Sequence, residues 1–231
     1  MSAGQPAEAL QRLDDITRRL RTECPWDREQ DERSIVPHTV EEAYELADAA
    51  NSGDDAKLLD ELGDVLFQVH FLSLLLEERG AGDMAAVADH CRTKLIRRHP
   101  HVFGEVEVED ASDVLRNWDE IKRGEEGRDP GLFADVPETL PGPLYARKLL
   151  RRAGSAGRDW PPEGAPARTA AAADRARAAA DDGVGRDERF AAIGDLLFAA
   201  VALARELRVD PELALRASAD RFKDQMEGED G

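Results

Sequence analysis

Apolar residues recur at intervals of three and four along most of this chain, the spacing that lines one face of an α-helix. Leu10, Leu13, Ile16 and Leu20 predict a first helix, closed by Cys24-Pro25-Trp26-Asp27. A second is predicted from near Pro37, because proline is tolerated in a first helical turn, to about Asn51-Ser52-Gly53. A third runs from about Asp55 to Arg79 and stops before Gly80, with Leu58, Leu62, Val65, Val69, Leu72 and Leu76 on one side. It is the longest and most apolar of the set. Shorter helices are predicted from Met84 to Arg98, ended by Pro100, and from Ala111 to Arg123. With no β-branched runs to suggest strands, the fold class is all-α, a helical bundle.

The pattern breaks between Gly124 and Pro143, where Gly and Pro cluster among charges, including Pro130-Gly131 and Pro141-Gly142-Pro143. This reads as a linker with at most a short turn, dividing residues 1–123 from residues 144–231. Beyond it the first pattern returns in part. Ile193-Gly194-Asp195-Leu196-Leu197-Phe198 echoes Leu62-Gly63-Asp64-Val65-Leu66-Phe67, Trp160 echoes Trp26, and Ala219 to Lys223 loosely echoes Arg92 to Ile96. These echoes predict an internal duplication with unequal copies. Where the first copy carries acids, the second has the alanine-rich run from Ala170 to Ala180.

Composition narrows the function. The 231 residues are 5% aromatic and carry a net charge of −18, which repels the phosphates of a nucleic-acid polymer and the anionic face of a membrane. The longest apolar stretch, Val65 to Leu76, is interrupted by Gln68, His70 and Ser73, so no membrane span is expected. Cys24 and Cys91 lack a C-x-x-C spacing and suit a reducing compartment, so a cytoplasmic protein is expected. A chain of this length buries enough apolar surface to need no metal for folding, so a bound metal would serve chemistry.

The candidate chemistry lies in Glu41-Glu42-x-x-Glu45 on the second helix and Glu61-x-x-Asp64 on the third. At about 100° per residue, the first three acids share roughly a 100° arc and the other two lie about 60° apart. A short connection makes the helices antiparallel neighbours, so the two acidic stripes can face each other. Glu61 and Asp64 also border the apolar arc of Leu58, Leu62 and Val65, which puts them at the edge of the core. Carboxylates gathered at partial burial repel one another unless protonated or joined by a cation. Ligation by oxygen alone points to Mg²⁺, with Mn²⁺ able to substitute, ahead of Ca²⁺. Ordinary solvated faces of an acidic helical protein are the alternative.

Basic residues gather at Lys94-Leu95-Ile96-Arg97-Arg98-His99-Pro100-His101 and at Lys122-Arg123. Beside a carboxylate-bound cation they suit a polyphosphate substrate; alone they suit a helix C-terminus and its dipole. Trp118, one turn before Lys122, can stack on a nucleobase or pack in a core, and the same choice holds for Trp26. His99 and His101 are able to bind metal, but their place beside Pro100 after a helix suits a capping turn better. The chain has no G-x-x-x-x-G-K-[ST] loop, no G-x-S-x-G and no E-x-x-H pair.

Cys-Pro-Trp-Asp at 24–27, Glu41-Glu42-x-x-Glu45, Glu61-Leu62-Gly63-Asp64 and Lys94-x-x-Arg97-Arg98-His99-Pro100-His101-Val102-Phe103 together closely resemble MazG-type nucleoside triphosphate pyrophosphohydrolases. The resemblance spans nearly all of the first half and continues more weakly through Arg147-Lys148 and Asp159-Trp160. It implies an all-α house-cleaning enzyme that converts a nucleoside triphosphate to the monophosphate and pyrophosphate with Mg²⁺, as a homodimer. By position it implies Glu41, Glu42, Glu45, Glu61 and Asp64 as catalytic and metal-holding residues, Lys94, Arg97, Arg98 and Lys122 as phosphate contacts, and Trp118 near the base. A narrower substrate, such as dUTP, a modified pyrimidine triphosphate or phosphoribosyl-ATP, is the nearest alternative. A non-catalytic nucleotide-binding regulatory module or an acidic scaffold is the more distant one.

The second copy departs from this pattern. Ala192 stands where Glu61 stands in the first, and Asp174 is the one acid in the alanine-rich helix. One surviving aspartate, Asp195, cannot offset the dehydration of Mg²⁺. The retained apolar positions Ile193, Leu196, Leu197, Ala200, Leu203 and Leu207 leave this half a packing role, on the first half or across a dimer. Asp195→Asn is therefore expected to leave kcat for pyrophosphate release within about twofold of the parent.

Overall fold

Every regular element among the described residues is an α-helix, as the three- and four-residue spacing requires. The structure, a computed structural model, describes residues 4–124, 131–134, 136–158, 160–161, 163–181 and 183–228. Asp159 and Pro130 lie outside them. The chain falls into two compact units, Met1–Ile96 and Arg97–Gly231. Part of the stretch expected as a linker, residues 125–130, also lies outside the described residues.

The first unit is built from α1 (Gly4–Glu23), α2 (Pro25–Glu29), α3 (Glu32–Ser52), α4 (Asp55–Glu78) and the greater part of α5 (Met84–Arg98). α3 begins five residues before the expected start at Pro37. Asp31 caps it by accepting from the backbone N–H groups of Arg33 and Ser34, while the Ser34 hydroxyl accepts from the Asp31 N–H. That reciprocal box nucleates the helix upstream of the proline, which then sits inside it. α3 ends at Gly53, whose φ of +71° is left-handed, and Asp54 caps α4 by accepting from Ala56 and Lys57. Two residues thus reverse the chain, and α3 and α4 pack as an antiparallel hairpin.

The core of this unit joins Ile35 of α3 to Phe71 and Leu75 of α4, with Phe67 and Leu72 against them. The buried face of α4 is not the expected arc. Gln68, His70, Phe71, Ser73, Leu74 and Leu75 are buried, whereas Leu59 is 74% and Leu62 49% exposed and Leu66 and Val69 also face outward. α4 is apolar nearly all round, so its packing partners choose which side is covered.

α1 is clamped to α4 by two arginines. Arg18 holds both carboxylate oxygens of Glu77, at 3.0 and 2.6 Å, and Arg21 holds those of Glu78 at 2.8 and 2.9 Å. Arg21 also donates to the backbone carbonyls of Asp27 and Gln30, which ties α2 down, and its guanidinium lies 5.8 Å from the Phe71 ring centroid.

The second unit holds α6 (Pro100–Phe103), α7 (Ala111–Arg123), α8 (Gly142–Ser155), α9 (Ala165–Ala178), α10 (Arg186–Glu206) and α11 (Pro211–Gly228). His99 stands at the N-cap position of α6 with Pro100 in its first turn, and its side chain makes no capping hydrogen bond there. The core groups Leu150, Ala165, Val201 and Ala202, with Trp160 and Phe198 packed against them. Small residues let α9 and α10 approach closely: Ala172 and Ala199 are fully buried, and the Thr169 hydroxyl reaches the Ala199 carbonyl at 3.1 Å. Arg175 of α9 pairs with Asp195 of α10 at 3.1 Å. The apolar positions of α10 divide, since Ile193 and Leu197 are exposed, as is Leu207 at its C-cap.

Because Arg21 makes several charge-assisted contacts at partial burial, Arg21→Ala is expected to cost roughly 2 kcal/mol in urea denaturation. Arg19→Ala, which removes only the exposed Arg19–Glu23 pair, is expected to stay within about 0.5 kcal/mol.

Candidate functional site

The α3–α4 hairpin brings the two acidic stripes together. Carboxylate oxygens of Glu42, Glu45 and Glu61 lie within 4.8 Å of one another. Glu61 is buried, Glu42 is half-buried and Glu45 is exposed, so the cluster opens to solvent on one side. Oε2 of Glu42 is buried and has no hydrogen-bond partner among the described residues.

The electrostatics are those of a crowded anionic site. Withdrawal from water, followed by the charges of Asp64, Glu45, Glu61 and Glu41, pushes the Glu42 carboxyl above its ordinary range. Withdrawal from water and then Glu45 push Glu61 the same way, with Asp60 and Asp64 adding to the effect and Lys57 opposing it. Three of the five expected carboxylates therefore converge, and Asp64 acts on them through its field. Glu41 turns instead toward His38, with 3.2 Å between its Oε2 and His38 Nδ1.

Lys57 was not singled out from the sequence, although it lies one helical turn before Glu61 and the spacing could have revealed it. It borders a shallow depression of about 520 Å³ on α4, lined also by Ala56, Leu59, Asp60, Gly63 and Asp64. Among the described residues, nothing beyond its own helix backbone stands within 4 Å of the place a Cβ on Gly63 would occupy, so the depression is open there.

The expected phosphate contacts fall in both units. Lys94, half-buried, belongs to the first. In the second, Arg98 is buried with its guanidinium 5.4 Å from the Trp118 ring centroid, and the His99 ring meets the edge of Trp118 at 4.8 Å. Arg97 is exposed and Lys122 half-buried. Trp118 is half-buried, with Arg98 over its face and His99 at its edge.

The donor set suits a hard divalent cation. All ligand atoms are carboxylate oxygens, Oε2 of Glu42 is buried without a hydrogen-bond partner among the described residues, and the mutual repulsion of the carboxylates is what a cation relieves. The sign of the pH dependence follows from the raised pKa values. The folded protein keeps protons on Glu42 and Glu61 where the unfolded chain has released them, so these groups favour the fold at acidic pH and that contribution is lost as pH rises through the raised values. A cation competes with those protons. The gain in Tm on adding Mg²⁺ as a probe is therefore expected to be larger at about pH 8 than at about pH 5. Glu42→Gln, by removing one repelling charge, is expected to raise the Tm without added metal by roughly 2–4 °C at about pH 8.

Comparison with known proteins adds a second line of observation. The profile described as MazG nucleotide pyrophosphohydrolase domain matches residues 30–103, which contain the whole α3–α4 hairpin. Over 224 residues the chain is 38% identical to the nucleoside triphosphate pyrophosphohydrolase of Escherichia coli (strain K12), covering 93% of this chain and 84% of that protein. It is 37% identical over 201 residues to the nucleoside triphosphate pyrophosphohydrolase/pyrophosphatase MazG of Thermotoga maritima, covering 86% of this chain and 76% of that protein. With its all-helical fold, its hairpin of facing carboxylates and this extent of shared sequence, the chain belongs to the MazG nucleotide pyrophosphohydrolase family.

Proposed function

We propose that this protein hydrolyses nucleoside triphosphates to the monophosphate and pyrophosphate with Mg²⁺, in a nucleotide-pool house-cleaning role. The observation that carries the reading is the convergence of Glu42, Glu45 and Glu61 within 4.8 Å on a hairpin inside the matched family segment. These three residues, with Asp64 beside them, would hold the cation. Bound there, Mg²⁺ supplies Lewis-acid polarisation of phosphate oxygens and template effects on the substrate.

The chain's own residues account for the rest. Hydrolysis adds water to the α-phosphorus as the bond to the β-phosphate's bridging oxygen breaks, and the attacking water must lose a proton. A carboxylate oxygen of Glu42 or Glu45 that does not engage the cation would receive it. Lys94, Arg97, Arg98 and Lys122 would provide the cations for the polyphosphate, and Trp118, with the Arg98 guanidinium over its ring, would lie near the base. Glu41, tied to His38, contributes to the negative field around Glu42.

The second hairpin, α9–α10, is read as a degenerate copy of the first. Arg175 supplies from within the chain the positive charge that Asp195 would otherwise draw from a cation. We also infer a homodimer, supported by the exposed stripe of Leu59, Leu62, Leu66 and Val69 on α4, an apolar surface of the kind a second copy covers. The two free cysteines, Cys24 and Cys91, suit a cytoplasmic setting.

The test is incubation of the protein with ATP, GTP, CTP, UTP and dUTP, resolving pyrophosphate from phosphate. Pyrophosphate release that disappears on chelation is expected, and Glu42→Gln, Glu61→Gln and Asp64→Asn are each expected to lower kcat by about 10²-fold or more. Release of single phosphates, or activity surviving exhaustive chelation, would overturn the reading. Leu62→Glu is expected to shift the mass in solution from dimer to monomer by light scattering.

A further inference from the structure

Gln68 lies in the middle of α4 and is only 6% exposed, and its Oε1 is buried without a hydrogen-bond partner among the described residues. A buried amide oxygen left unpaired costs about 1–3 kcal/mol, a penalty that an apolar side chain of similar size would not carry. Among the described residues, His70 is the other α4 side chain with such an atom, and it faces α1, where Asp14 Oδ1 stands 3.9 Å from its Nδ1. Gln68 belongs to the opposite packing, against α3.

The register of the hairpin places it. At one level Glu42 and Glu45 converge with Glu61, and Asp64 is the charge that acts most on Glu42. Further along, Ile35 of α3 packs with Phe71 of α4. Gln68, between Asp64 and Phe71, therefore lies in the layer joining the acids to the apolar core. At about 100° per residue it shares the acids' face of α4, about 20° from Glu61 and about 40° from Asp64. Helical side chains lean toward their own N-terminus, so Gln68 leans toward the acids, and Glu42 on the antiparallel α3 leans toward Gln68. Oε2 of Glu42 is likewise buried without a hydrogen-bond partner among the described residues. Two such acceptors call for a donor between them, and a water supplies two protons. The second hairpin offers a comparison within the chain. Aligning Gly63-Asp64 with Gly194-Asp195 puts Ala192 at the place of Glu61 and the fully buried Ala199 at the place of Gln68. Where the acid is missing, the amide is missing too.

We propose that Gln68 orients the attacking water, its Oε1 accepting a hydrogen bond from one O–H while a carboxylate of the cluster accepts from the other. This rests on the pyrophosphohydrolase reading and deepens it. The water oxygen forms its bond to the α-phosphorus as the bond from that phosphorus to the bridging oxygen of pyrophosphate breaks. One proton passes to the carboxylate of Glu42 or Glu45. The proton facing Gln68 stays on the oxygen, which becomes part of the monophosphate. A carboxamide suits this task because it accepts a hydrogen bond without taking the proton, so the direction of transfer is fixed and an oxygen lone pair is left to attack.

The experiment compares the full-length parent with Gln68→Met and Gln68→Leu by steady-state pyrophosphate release from ATP, and by thermal unfolding with and without Mg²⁺ as a probe. Both variants are expected to lower kcat by about 10- to 100-fold while KM for ATP stays within about threefold. The Tm without metal should equal or exceed the parent's, because an unpaired buried amide has been removed, and the gain in Tm on adding Mg²⁺ should match the parent's. A kcat within about twofold of the parent in both variants, or a loss of activity that follows a lowered Tm, would overturn the assignment. Should neither variant fold, a crystal structure of the parent decides. A water within about 3.0 Å of Gln68 Oε1 is expected, and a dry amide, or one bonded directly to a carboxyl group, would refute the proposal. If the parent releases no pyrophosphate from any triphosphate, the enzymatic reading falls and this role falls with it, whereas an active parent with unaltered variants removes the role of Gln68 alone.

Discussion

Glu42, Glu45 and Glu61 are held closer together than their charges favour, and the α3–α4 hairpin holds them there. Withdrawal from water first, and then the charges of the neighbouring carboxylates, raise the proton affinity of Glu42 and Glu61. The repulsion is opposed by an apolar contact between the same two helices, where Ile35 of α3 meets Phe71 and Leu75 of α4. The left-handed Gly53 and the cap at Asp54 set the register, so burying the apolar end of the hairpin forces the acidic end together. A site made this way is strained in charge while its backbone is ordinary helix, and a divalent cation is the simplest means of relieving it.

Around the hairpin, arginines do the anchoring. Arg18 and Arg21 bind α1 to the far end of α4, and Arg21 extends its reach to the carbonyls that fix α2. The turn at 24–30 is consequently a rigid mount and can carry an exposed tryptophan. The second unit uses arginine otherwise. Arg175 pairs with Asp195 between α9 and α10, and alanines replace the larger side chains of α3 in drawing the helices together.

Much of this was legible in the sequence because helical periodicity is a local property. α4 was expected from about Asp55 to Arg79 and spans Asp55–Glu78, and α5 was expected over the residues it occupies. The start of α3 was misjudged because Pro37 is a strong punctuation mark, while the Asp31 and Ser34 box that begins the helix depends on two side chains each finding the other's backbone. The face of α4 was misjudged for a different reason. A helix apolar on nearly every side offers no unique stripe, and the arc through Leu62 and Val69 is partly exposed. For the candidate site, residue types and spacing identified the acids, and nothing local distinguished Glu41 from Glu42.

The sequence by itself determined that the chain is helical, that it is too acidic to favour polyanions without a cation, and that two acidic stripes lie on consecutive helices joined by a short turn, because each of these follows from side-chain type and spacing within a few residues. Only the tertiary structure decided which acids meet, which face of α4 is covered, and that Trp118 is half-buried while Trp26 is held out. Those outcomes depend on side chains far apart in the chain, such as Arg21 with Glu78 or Ile35 with Phe71, competing for the same limited buried space.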